Sequence, residues 1–168
     1  AAAKPANERL QLALGTAQIK SGSTEEGGKT LAALLKSTDD AGILNDAAYA
    51  LANGNLELAL AETSTQKALD KMTKESATLA LDANPAMAKA KAQLLAATWD
   101  TMGWVYFKEH KLDEAEDYLR AAWLSESTPE GGLHLGQLEE AQGRLNEALK
   151  TYDLALAASG SGSVAYSF

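Results

Sequence analysis

Apolar residues recur at three- and four-residue spacing along most of this chain. Leu112, Ala115, Leu119, Ala122 and Trp123 form one stripe, and Leu145, Ala148, Leu149, Tyr152, Ala155 and Leu156 form another. That spacing puts the apolar set on one face of an α-helix. Start and stop signals separate the stripes. Ser23 with Glu26, and Asp113 with Glu116, have capping-box spacing. Asp39 or Asp40 suits a cap, and Asn84-Pro85 and Thr128-Pro129 place a cap residue before a proline at the first helical position. Gly22, Gly54 and Gly143 stand where helices should stop. The pattern predicts helices at about 6–21, 24–37, 41–53, 57–81, 85–109, 112–125, 129–142 and 145–158. Short turns join them into four hairpins, at about 6–37, 41–81, 85–125 and 129–158. Ser159-Gly160-Ser161-Gly162-Ser163 opens a flexible tail over 159–168, and Val164 to Phe168 has no periodic pattern.

Composition strengthens the all-α reading. The chain has 168 residues, the size of one domain, and holds 34 Ala and 26 Leu but only 3 Pro and few β-branched residues. It has no Cys, which excludes a disulfide framework, a Cys-type zinc site and a thiol nucleophile. Fifteen Lys+Arg against 23 Asp+Glu give a net charge of -8. No basic stripe is present to neutralise phosphates, so no nucleic-acid partner is expected. No apolar run is long enough for a membrane span. The first residues, Ala1-Ala2-Ala3-Lys4-Pro5, fit either a mature end after signal cleavage or a trimmed chain.

A repeat underlies the hairpins. Trp99, Gly103 and Tyr106 are followed by Ala115, Leu119 and Ala122. The next copy has Leu135-Gly136, Ala148, Tyr152 and Ala155, with Glu139 at the Tyr position. The step from Gly103 to Gly136 equals the step from Ala115 to Ala148, so the two helices of the hairpin shift together. Leu14-Gly15, Gly27, Leu31 and Leu34 repeat the spacing, with Gln18 at the Tyr position. Leu44, Ala47-Ala48, Leu51, Ala61 and Ala68 form another copy with a turn one residue longer. Gly15 to Ala48 is the same step again, but Ala48 to Gly103 is much longer, and the excess falls between about Lys71 and Gln93. Helix formers fill that excess, so it should lengthen two facing helices around a turn at Asp82 to Pro85. The small residues let paired helices approach closely, and a bulky side chain at Gly103 should overpack by about 1–3 kcal/mol.

These residues resemble the tetratricopeptide repeat, over roughly residues 8 to 157. The resemblance implies a right-handed α-solenoid of about four hairpins, with an extended hairpin between repeats two and three. It also implies a concave face, lined by the first helix of each pair, that holds a protein or peptide segment. Carried over position by position, the groove residues are Asn45, Tyr49 and Asn53, then Asp100, Trp104, Phe107 and Lys108, then Leu133, Gln137 and Glu140. Arg9, Thr16 and Lys20 are their counterparts in the first hairpin. Trp104 and Phe107 lie on another side of their helix from Trp99 and Tyr106, which leaves groove anchoring and core packing both open. The family's carboxylate-clamp form grips an acidic tail with Lys, Arg and Asn. Asp100 and Glu140 depart from it, and a basic or mixed partner fits the net charge better. Leu44 to Leu51 and Trp99 to Trp104 also resemble the repeat-bearing C-terminal segments of bacterial exported transglutaminase-like proteins. That similarity implies a periplasmic or secreted location over a cytoplasmic one. No Cys nucleophile of such an enzyme is present.

Candidate chemistry is sparse. His110 falls in a turn, His134 lies early in a helix where packing is expected, and neither has the spacing of a zinc hydrolase. Gly27-Gly28-Lys29-Thr30 lacks the spacing and preceding strand of a phosphate loop. Glu25-Glu26, Asp39-Asp40 and Glu139-Glu140 suit helix starts or exposed faces. The expectation is a protein that is not an enzyme, with no metal and no cofactor, acting as an interaction scaffold. The alternatives are a structural subunit packing through its solenoid ends, with apolar surface near Tyr152, Leu154 and Leu156, or an auxiliary repeat domain of an exported enzyme.

Overall fold

The computed structural model describes residues 4–77 and 84–160. They form eight α-helices and no strand: α1 (Lys4–Lys20), α2 (Thr24–Ser37), α3 (Ala41–Asn53), α4 (Leu58–Ser76), α5 (Pro85–Lys108), α6 (Leu112–Ser125), α7 (Pro129–Ala141) and α8 (Leu145–Ala158). Neighbours pair as α1–α2, α3–α4, α5–α6 and α7–α8. The odd-numbered helices then pack in a row, α1 on α3, α3 on α5 and α5 on α7.

Local chemistry sets most helix starts. Asp40 accepts from the Ile43 N–H at 3.0 Å, Asn84 from Ala86 at 2.9 Å and Thr128 from Gly131 at 3.0 Å. Each satisfies a donor that a helix N-terminus would leave unpaired. The two capping boxes do not form. The Ser23 side chain makes no cap bond. α6 starts at Leu112, so Asp113 and Glu114 occupy its first turn, where the helix dipole favours negative charge. α4 runs to Ser76, and positions 78–81 of the expected helix lie outside the described residues. Positions 78–83, which hold the first half of the expected Asp82–Pro85 turn, lie outside the described residues, as does the expected tail beyond Gly160. α5 has 24 residues against 13 in α3 and α7, and Lys91 of α5 meets Glu75 of α4 at 3.2 Å.

The turn inside each hairpin repeats in its backbone. Gly22, Asn55, His110 and Gly143 all have positive φ, at 91°, 53°, 62° and 77°. Each donates its N–H to the carbonyl three residues back, on Ile19, Ala52, Phe107 and Glu140. In three hairpins the following N–H closes the wider ring, from Leu56 to Leu51, Lys111 to Tyr106 and Arg144 to Glu139. That is a Schellman-type ending, which needs a left-handed residue. Gly54 is therefore not the left-handed stop that its position suggested. It has φ of -77°, and a Cβ there would come within 3.0 Å of Leu56 and 3.2 Å of Ile19.

The core follows the same frame. α3 carries Ile43, Leu44, Ala47, Ala48 and Leu51, all buried, against Leu31 and Leu34 of α2, Ala61, Ala68 and Leu69 of α4, and Met102 and Val105 of α5. Each fully buried Leu contributes about 1.5–3 kcal/mol. Ala115, Leu119, Leu135 and Leu138 continue the core between α6 and α7. A Cβ at Gly15 would lie 2.6 Å from Leu31 Cγ, and one at Gly103 2.6 Å from Leu119 Cγ. The ring of Tyr152 fills the same space against Gly136. In each case the bulky partner is sixteen positions after the glycine. The substitution of Glu139 for Tyr also has a partner. Tyr106 packs on Tyr118, with ring centroids 5.7 Å apart. One repeat later, Glu139 accepts from the Thr151 hydroxyl at 2.7 Å. A ring pair is replaced by a buried hydrogen bond at the same two positions.

Candidate functional site

The face carried by the odd-numbered helices holds a linked polar and aromatic cluster. The Trp104 indole Nε1 donates to Asn53 Oδ1 at 2.8 Å. The Trp104 ring stacks on Phe107 at 5.0 Å and on His134 at 4.2 Å. Lys108 sets its ammonium 4.6 Å from the same ring, a cation–π distance. His134 Nδ1 lies 2.8 Å from Asp100 Oδ2. Tyr49 tilts against His134 at 5.9 Å, and its hydroxyl donates to the Glu130 carboxylate. Burial pushes the Tyr49 phenol well above its ordinary value, and the neighbouring Glu130 and Asp100 charges add to that. It stays a neutral donor at physiological pH.

Two depressions meet on this face. One is a cavity of about 240 Å³ between α3, α5 and the start of α7, lined by Asn45, Asp46, Tyr49, Asp100, Glu126 and Glu130 among others. The other is a more open cleft of about 580 Å³, reaching α1 through Thr16 and Lys20 and bounded by Asn53. Asp46, Tyr49 and Glu130 belong to both, so they form one furrow across the row of odd helices.

The expected groove residues divide into several groups. Asn45, Tyr49, Asn53 and Asp100 line the furrow, as do Thr16 and Lys20. Trp104 is 6% exposed and is packing rather than an open anchor; it supports the furrow from beneath through Asn53 and His134. Phe107 and Lys108 are half-buried against it. Gln137 is half-buried and lines neither depression. Glu140 turns to the next helix and accepts from the Tyr152 hydroxyl at 2.8 Å. Arg9 is exposed away from both depressions, and Leu133 borders an apolar cleft with Tyr152 and Leu156. Asp46, Glu126, Glu130 and Gly131 are furrow residues that the repeat pattern did not single out. Glu130 stands one repeat after Ala97, and both border the cavity, so the repeat frame does carry a signal for it.

Among the described residues no group of three His, Asp or Glu is placed to hold a metal ion. No helix among them is long and apolar enough to cross a membrane. No protein-family model matches the chain, and no curated protein matches it. The geometry of the furrow therefore carries the functional argument.

Proposed function

We propose that this chain is a tetratricopeptide-like α-solenoid that acts as a protein-interaction module and holds a partner segment along the face of α1, α3, α5 and α7. The common repeat frame supports that reading, because glycine–bulky contacts and left-handed turns both recur in it. The observation that carries the binding reading is the continuous furrow, with Tyr49 and Asn45 in one part and Asn53, Thr16 and Lys20 in the other. Amide side chains both donate and accept, which suits an extended peptide backbone. A non-catalytic role is favoured because His134 is buried and engaged by Asp100, while His110 is exposed in a left-handed turn.

The test is site-specific photo-crosslinking in lysate of the source organism. A crosslinking side chain at Thr16 or Asn53 should trap a partner, and one at Lys150 on α8 should not. Equal trapping at Lys150, or none at the furrow positions, refutes the reading. A second reading, end-to-end assembly, is favoured by one observation: Leu145, Leu149, Leu154 and Leu156 of α8 are all more than half exposed.

A further inference from the structure

The enclosed part of the furrow has an unbalanced set of hydrogen-bonding groups. Asn45 is 6% exposed, and its Oδ1 is buried without a hydrogen-bond partner. Its Nδ2 donates to Asp46 Oδ1 at 3.1 Å, which leaves Oδ1 as the unused atom. Asp100 repeats the arrangement. Its Oδ2 meets His134, while its Oδ1 is buried and unpartnered. Both residues line the 240 Å³ cavity. Gly131 borders Asp100 Oδ1, since a Cβ there would lie 3.5 Å from it. Leaving such acceptors unpaired is costly, and a donor from outside would remove the cost.

Charge points the same way. Asp46, Asp100, Glu126 and Glu130 line the cavity, and no Lys or Arg is among its lining residues. Glu126 receives one bond, from Gln93 at 2.8 Å, and Glu130 receives one from Tyr49. A carboxylate accepts more than one donor, so both keep capacity. The cavity thus supplies acceptors and negative charge. A guanidinium has five donors and no acceptor, and an ammonium has three donors and no acceptor. An amide or hydroxyl would meet the orphan oxygens but bring no positive charge to the four carboxylates.

The geometry points to a socket for one cationic side chain, the arginine or lysine of a bound peptide, held by Asn45 Oδ1 and Asp100 Oδ1 within the carboxylate ring. This rests on the peptide-binding reading above and names what that face selects. Binding weakens with added salt, because part of the attraction is between charges at the rim.

The test uses the full chain and a random peptide library displayed on phage, followed by affinity measurements on synthetic copies of the enriched peptides. Enriched peptides should share an Arg or Lys. Replacing that residue by citrulline or norleucine should weaken binding about tenfold or more. Separate Arg and Lys versions show which cation the socket prefers. Asp100→Asn should produce the same loss, and the citrulline effect should shrink in that variant. Asp46→Asn, at an exposed position, gives a second variant that keeps the core untouched. Peptides that bind at the furrow, competing with one another but indifferent to citrulline replacement, overturn the socket and leave the interaction face standing. Failure to enrich any peptide overturns both.

Discussion

Gly103→Ala should destabilise this protein, although alanine is the better helix former. In an exposed helix interior the change would gain about 1 kcal/mol. Here the new Cβ would lie 2.6 Å from Leu119 Cγ, 2.9 Å from Leu119 Cδ2 and 2.9 Å from the Leu119 backbone nitrogen. Leu119 is fully buried, so it has no open space to turn into, and a backbone atom moves only if α6 moves. Overpacking of that kind costs about 2–3 kcal/mol. The net loss is about 1–2 kcal/mol, which corresponds to a drop in Tm of about 2–8 °C for a chain of this size. Gly28→Ala is the matched control. It sits inside α2, and its Cβ would meet only Leu56 Cδ1, at 3.6 Å. It should raise stability by about 0.4–1 kcal/mol. Thermal and urea unfolding followed by circular dichroism read both variants. A Gly103→Ala protein as stable as its parent would refute the argument that α5 and α6 are locked at glycine distance.

Other variants probe the rest of the structure. Trp104→Ala should lose about 3–5 kcal/mol, seen as early thermal unfolding, because the ring is buried and stacked between elements. His110→Gly should gain about 1 kcal/mol in urea unfolding, by relieving a side chain held at φ of 62°. Burial works to raise the Glu116 carboxyl, but hydrogen bonds from Gln142 and Arg120 and the Arg144 charge outweigh it and hold it below its ordinary value. Its stabilisation is complete above the unfolded-state value of about 4.3 and is lost as pH falls through the lower folded value. Acid titration of stability should therefore be shallower in Glu116→Gln than in the parent. If α8 packs end to end, Leu149→Lys with Leu156→Lys should dissociate the assembly in sedimentation analysis; a parent that is monomeric at high concentration removes that reading.

The caps at Asp40, Asn84 and Thr128 were legible because a cap needs only a side-chain oxygen and an N–H two or three residues on. The Ser23 box marked the start of α2 correctly, with Ser23 at the N-cap position, though its side chain makes no cap bond; the Asp113 pair falls inside α6, because the hairpin turn decides where that helix begins. A Schellman closure at Lys111 starts α6 at Leu112, before Asp113 can act as a cap. The glycine contacts were legible as spacing, since small and bulky partners must recur together. The furrow was legible only in part. Asn45, Tyr49, Asn53 and Asp100 follow from repeat position, and Glu130 in the first turn of α7 has a repeat counterpart in Ala97, but Glu126 comes to the cavity from the junction between two hairpins. Trp104 was ambiguous because an aromatic at that position reads alike as anchor or packing. What decides it is His134, which stacks over the ring from the following hairpin, beyond the reach of any local pattern.

The recurring left-handed residue also bears on how such a chain can change length. His110 and Gly143 occupy equivalent joints, and each is followed by a basic residue that opens the next helix. Excising residues 111–143 would splice His110 directly to Arg144 and rebuild the same joint. Tyr152 would then face Gly103 in place of Leu119, with Ala148 and Ala155 standing for Ala115 and Ala122. Helical content and cooperative melting of the shortened chain would show whether the splice holds. The shortened chain would thus lose one whole unit with no loop to be invented at the seam.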